Sequence, residues 1–151
     1  MTEKFSNKKS VTIDAPVTDV WKALTDAGMI KQYFFGVEVR GDWKEGNTII
    51  YKGEWQGKKF ESKARVLQVE DQNLLKYSYW SNMSGQPDES EYYHIITYEL
   101  SPENGGTKLV MTEENLTDQS MKERSAKIWD MVFDNLKKLV ERKRQQGIMS
   151  R

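Results

Sequence analysis

The chain has 151 residues, with 23 basic side chains balanced by 23 acidic ones, one histidine and no cysteine. That length fits a single domain (residues 1–151, core about 9–144), and a domain of this size buries roughly 70% of its unfolded surface without a disulfide or metal staple. The lack of Cys excludes disulfides, zinc thiolates and cysteine nucleophiles, and the neutral total argues against nucleic acid or an anionic membrane as partner. No apolar run approaches the ~20 residues of a bilayer span, and the N-terminal stretch MTEKFSNKKSVTID has no apolar signal region. These features predict a soluble protein of a reducing, cytoplasmic compartment.

In chain order, Val11 and Ile13 alternate with Thr12 and Asp14, which predicts a strand over Ser10–Asp14. Asp14-Ala15-Pro16 then opens a helix, with Pro16 at its first position, Asp14 as cap and Val17, Val20, Trp21 and Leu24 as its apolar stripe. Trp21 reads as core. Asp26-Ala27-Gly28 breaks that helix, and a second short one runs from Met29 to Phe34, ended by Gly36. The period then changes to two. Val37 and Val39 alternate with charged neighbours, and residues Asp42–Asn47 turn around Gly46. Strands follow over Thr48–Trp55, Lys58–Glu70 and Leu74–Trp80, separated by a tight turn at Gln56-Gly57 and a turn at Asp71–Asn73. After the polar loop SNMSGQPDES come strands over Glu91–Leu100 and Thr107–Glu114, joined through Asn104-Gly105.

A last helix is expected from Ser120 to Arg144, with Ile128, Trp129, Met131, Val132, Phe133, Leu136, Leu139 and Val140 as a wide apolar face. Lys137, Lys138, Arg142, Lys143 and Arg144 crowd its end, where cations complement the helix dipole and read as a solvated surface. Hairpin-linked strands make the sheet antiparallel. A long helix with only that sheet to pack on gives an α+β fold: a curved antiparallel sheet gripping a C-terminal helix, with two short helices after the first strand.

His94 is the single histidine. With Leu100 facing inward, alternation puts Tyr98, Ile96, His94 and Tyr92 on the same face. A neutral imidazole there binds a polar group or exchanges a proton, or is simply a partly buried side chain satisfied by a tyrosine hydroxyl or water. The sequence shows no oriented partner that would make it a base. Ile49, Tyr51 and Trp55 share one face, as do Leu75, Tyr77 and Tyr79. Tyr77, Tyr79 and Trp129 either line a pocket or fill it.

Other chemistries lack their residues. No Cys and no His-Glu-x-x-His are present, and Glu113 and Glu114, as strand neighbours, point to opposite faces, so no metal is expected. Neither a Gly-x-Ser-x-Gly elbow nor a phosphate-binding glycine loop occurs.

Segment VTIDAPVTDVWKALTDAGMIKQYFFG resembles the opening of the START-like (SRPBCC) superfamily: a strand, Ala-Pro, a Trp-containing helix, an aromatic pair and Gly. ITYELSPENGGTKLVMTEENL and IWDMVFDNLKKLVE resemble the activator of heat shock protein 90 ATPase homologue family within it. The resemblance covers roughly Lys9 to Arg142. It implies the helix-grip fold of the birch-pollen-allergen type, with a hydrophobic cavity between sheet and long helix. The expected lining is Tyr33, Phe34, Tyr51, Trp55, Tyr77, Tyr79, His94, Ile96, Tyr98, Met111, Trp129 and Phe133. Two positions depart from the family. Ile128 stands where Gly often precedes the helix Trp, which narrows the cavity, and Tyr33 replaces a Trp and brings a hydroxyl that needs a partner when buried. The eukaryotic co-chaperones also carry a separate N-terminal domain for which this chain has no room.

The function expected is non-enzymatic binding of a small apolar or amphipathic molecule, with no cofactor. The alternatives are a polyketide cyclase or aromatase-like enzyme, with His94 or a tyrosine moving protons, and a stress-related co-chaperone that contacts a heat shock protein 90 and stimulates its ATPase.

Overall fold

Period-two patterning builds seven strands into one antiparallel sheet, and the computed structural model describes residues 5–82 and 85–145, with the backbone alone at Trp55. The strands are β1 (Phe5–Ile13), β2 (Glu38–Arg40), β3 (Thr48–Trp55), β4 (Lys58–Glu70), β5 (Leu74–Ser81), β6 (His94–Glu103) and β7 (Gly106–Leu116). Their order across the sheet is β1-β7-β6-β5-β4-β3-β2. The hairpin between β3 and β4 turns on Gln56 and Gly57, both at positive φ, the backbone that a two-residue turn matched to strand twist requires. A bulge in β4 between Val66 and Gln68 leaves Leu67 exposed and adds local bend and twist.

Several strand ends differ from the sequence reading, and β6 runs on to Glu103 instead of Leu100. β1 begins at Phe5 instead of Ser10, because the polar segment before Ser10 pairs by backbone with β7, from Phe5 opposite Leu116 onward. β6 begins at His94 instead of Glu91. The residues before it form a 3-10 turn (Ser90–Tyr92), so Tyr92 is not on the strand. β7 runs on to Leu116.

Helix α1 (Val17–Thr25) is capped by Pro16 and not by Asp14. The Ala15 N–H bonds back to the Ile13 carbonyl, which turns the chain before the helix starts and leaves Asp14 facing outward. Asp26 caps α2 (Ala27–Tyr33), accepting from the N–H groups of Gly28 and Met29, so the supposed breaker is the start of the next helix. α3 (Gln119–Gln145) lies on the concave face, its N-terminus held by Asp118, which accepts the Met121 N–H at 2.7 Å. Trp129, Val132, Phe133, Leu136, Leu139 and Val140 bury its inner face against Ile13, Val20, Leu100, Leu109 and Met111. The apolar face is narrower than the sequence suggests: Ile128 is 43% and Met131 47% exposed. This is the helix-grip architecture.

The helix is tied to one side of the sheet. Lys9 pairs with Asp130, Lys137 donates to the Thr12 carbonyl and to Glu141, and Arg144 reaches both the carbonyl and the carboxylate of Asp14. The Asp14 N–H in turn donates to Glu141 at 2.8 Å. Lys137 and Arg144, read as solvated, are therefore clasps onto β1 and the turn after it. α3 rests on β1, β7, α1 and α2. Its other flank stands over β3–β5 and leaves room there.

Candidate functional site

That room is a pocket of about 330 Å³ between α3 and the strands β3–β7. Its floor follows from register. Tyr51 on β3 stands opposite Ser62 on β4, and Tyr79 on β5 stands opposite Ala64. Small side chains on the middle strand let rings from both neighbours lean together, and Tyr51 and Tyr79 meet edge to face at 5.4 Å. Trp43, in the turn before β3, closes edge-on against Tyr77 at 5.3 Å. Phe60 covers Gly53, where an added Cβ would lie 2.8 Å from its ring.

The floor, with Tyr98 behind it, carries hydroxyls that stay neutral. Burial pushes Tyr51, Tyr77 and Tyr98 well above the ordinary phenol value, and neighbouring tyrosines push in the same direction. Burial also raises Tyr79 to about 12. Tyr77 and Tyr98 share a hydrogen bond at 3.3 Å. The floor is thus apolar surface tipped with uncharged donors and acceptors.

One end of the pocket is different. Glu113 on β7 is only 3% exposed. Ser125 donates to both its oxygens at 2.6 and 2.8 Å, Asn7 donates to Oε1 at 3.1 Å, and the His94 Nδ1 lies 3.4 Å from Oε2. Burial alone would raise this carboxyl, but the contacts from His94, Ser125 and Asn7 outweigh it and hold the group below the usual carboxylate range. β1, β6, β7 and α3 each supply one member of the cluster. His94 therefore has the oriented partner that its own sequence neighbourhood does not reveal, and that partner is a carboxylate instead of a tyrosine or water.

Of the residues expected at the cavity, Phe34, Tyr51, Tyr77, Tyr79, His94 and Trp129 line the pocket. Ile96, Tyr98, Met111 and Phe133 are buried core and do not line it. Tyr98 sits behind Tyr77 and against Trp129. Tyr33 turns away, donating its hydroxyl to the Ala23 carbonyl at 2.9 Å, which supplies the partner that hydroxyl needs. The Trp55 side chain lies outside the described residues. Ile128 is a pocket-lining residue with much of its surface in solvent, so its bulk acts where the pocket opens.

Further side chains outside the expected lining also face the pocket, Tyr92 among them from the 3-10 turn and not from the strand that alternation gave it. Phe35, Phe60, Trp80 and Tyr92 add aromatic wall, and Met121, Arg124, Ser125 and Val132 come from α3. Spacing of four residues links Met121, Ser125 and Trp129, a signal present in the sequence. Phe35 takes φ 52° beside Gly36 at φ 72°, a backbone that no pattern announces. Among the described residues no group of three His, Asp or Glu side chains is placed to hold a metal, and no helix is long and apolar enough to cross a membrane.

A helix-grip sheet with a pocket under its long helix is the architecture of START-like (SRPBCC) proteins. Within that class the model of the family described as Activator of Hsp90 ATPase homolog 1-like protein matches residues 14–141, and the chain belongs to this family. No curated protein matches the chain. Among solved structures it is similar to ChR145 from Cytophaga hutchinsonii, with 35% identity and a TM-score of 0.80, over 96% of this chain and 99% of that one. CalU16 from Micromonospora echinospora is 23% identical with a TM-score of 0.70, over 97% of this chain and 90% of that one. DynU16, a protein in the dynemicin biosynthetic locus, is 19% identical with a TM-score of 0.74, over 97% of this chain and 49% of that one. The last two likenesses are of fold.

Proposed function

We propose that the protein binds a small apolar or amphipathic molecule in the pocket beneath α3 without transforming it. The observation that carries this reading is the pocket's composition. Aromatic side chains from β3, β4, β5 and α3 surround a volume of about 330 Å³, and His94 and Glu113 stand together at one end of it. A ligand placed there exchanges water for apolar contact, worth ~25 cal/mol per Å² buried, and its polar group sets its direction.

Thermal unfolding against a panel of hydrophobic compounds tests the proposal. A compound with a Kd one hundredth of its free concentration adds about 2.7 kcal/mol of stability, which is a rise of several degrees in Tm. The expected result is such a rise for flat or aliphatic compounds with one polar group. No rise for any compound, together with an experimental structure in which side chains fill the pocket, removes the reading.

A further inference from the structure

The polar end of the pocket has a direction, and it leads to the class of ligand. The Glu113 carboxylate takes both Ser125 contacts and the Asn7 donor, and its remaining neighbour is His94 Nδ1. An ionised carboxylate only accepts, so the ring nitrogen facing it carries the hydrogen. In a neutral imidazole the other nitrogen is then bare and acts as an acceptor. His94 lines the pocket with its side chain 15% exposed, and Nε2 hydrogen-bonds no described residue. The nearby hydroxyl of Ser125 is spent on Glu113, and that of Tyr77 is paired with Tyr98. The bare Nε2 is thus left as an acceptor that neither of these two hydroxyls fills.

We propose that the pocket selects molecules carrying a hydroxyl donor (phenolic, enolic or alcoholic), which bonds to Nε2 of His94 while the apolar body lies against Tyr79 and Trp129. This rests on the reading of the pocket as a ligand site. A carboxylate in the same place faces Glu113 just behind the ring, like charge toward like charge, and is disfavoured. Arg124 also lines the pocket, on the exposed side of α3, and it is the group that would reverse this preference for an anion.

Three probes of one shape test the proposal on the full, tag-free chain in mildly alkaline buffer. They are 2-naphthol, 2-methylnaphthalene and 2-naphthoate, titrated by calorimetry into the natural protein and into His94→Phe. The affinity ratio of 2-naphthol to 2-methylnaphthalene is expected to fall about tenfold in His94→Phe, the size of one lost hydrogen bond to a polarised group, and 2-naphthoate to bind more weakly than 2-naphthol. Binding of the probes with an unchanged ratio, or 2-naphthoate as the tightest ligand, overturns the hydroxyl preference and leaves the pocket reading intact. Binding by none of them overturns both. Because the chain has a single histidine, long-range proton–nitrogen NMR of the natural protein reads the same question if the variant does not fold. The Nε2 resonance should lack its own hydrogen and move with 2-naphthol but not with 2-methylnaphthalene, and a hydrogen on Nε2, or no movement, contradicts the proposal.

Discussion

Glu113 shows how one residue joins the fold to the pocket. Its partners Asn7 and Ser125 lie 106 and 12 positions away in the chain. Alternation from Leu109 and Met111 carries it inward, so its direction was legible in the sequence. The company it keeps was not, because that depends on where β1 and α3 come to rest. A carboxylate taken out of water is unfavourable unless its lone pairs are filled, and here three side chains fill them. Glu113→Gln is therefore expected to cost about 1–3 kcal/mol at pH 7, read by urea unfolding. The folded carboxyl lies below its ordinary value of 4.5, so its contribution is whole above pH 4.5 and disappears as the pH falls through the lower folded value. The gap between natural protein and variant should close in acid. A gap of the same size at pH 7 and at about pH 3 contradicts the account.

At the scale of elements, the sequence is clearest where turn chemistry and alternation agree. β3 and β4 have the ends expected of them, since Gln56 and Gly57 fix the hairpin and Ile49, Tyr51, Ser62, Ala64 and Val66 alternate inward on either side of it. It is least clear where pairing comes from a distant partner. The polar start of β1 is a strand only because β7 lies beside it, and Asp14 serves α3 instead of α1. The close approach of these elements is sharpest at Gly106, the first residue of β7, where a Cβ would lie 2.5 Å from the Ile13 carbonyl oxygen. Backbone cannot swing aside as a side-chain tip can, so Gly106→Ala must part the end of β1 from β7. The expected loss is about 1–3 kcal/mol in denaturant unfolding. A variant as stable as the natural protein would show that this end of the sheet is looser than described.

For the whole molecule, the decisive fact is that α3 is fastened along one side. Its clasps to β1 and to the turn after it, together with its apolar seat on β7, α1 and α2, leave β3–β5 covered by their own aromatics, by Phe34 and Trp43, and by the far flank of the helix. A helix lying centrally in the sheet would spread Trp129 and Phe133 over the tyrosines. Fastened as it is, it buries Phe133 in the core and turns Trp129 and Ser125 toward the pocket. The sequence announces the helix and the curved sheet but not this offset, which is set by ion pairs more than 120 positions apart. That is why Phe34, Tyr51, Tyr77, Tyr79, His94 and Trp129 meet at the pocket while Ile96, Met111 and Phe133 stay beneath it. Native mass spectrometry of the protein purified from its own host, and of protein incubated with hydrophobic compounds, tests the central claim most directly. The account predicts a complex heavier than the polypeptide by one small apolar or amphipathic molecule, released when the chain is denatured. The bare polypeptide mass in both samples would contradict it.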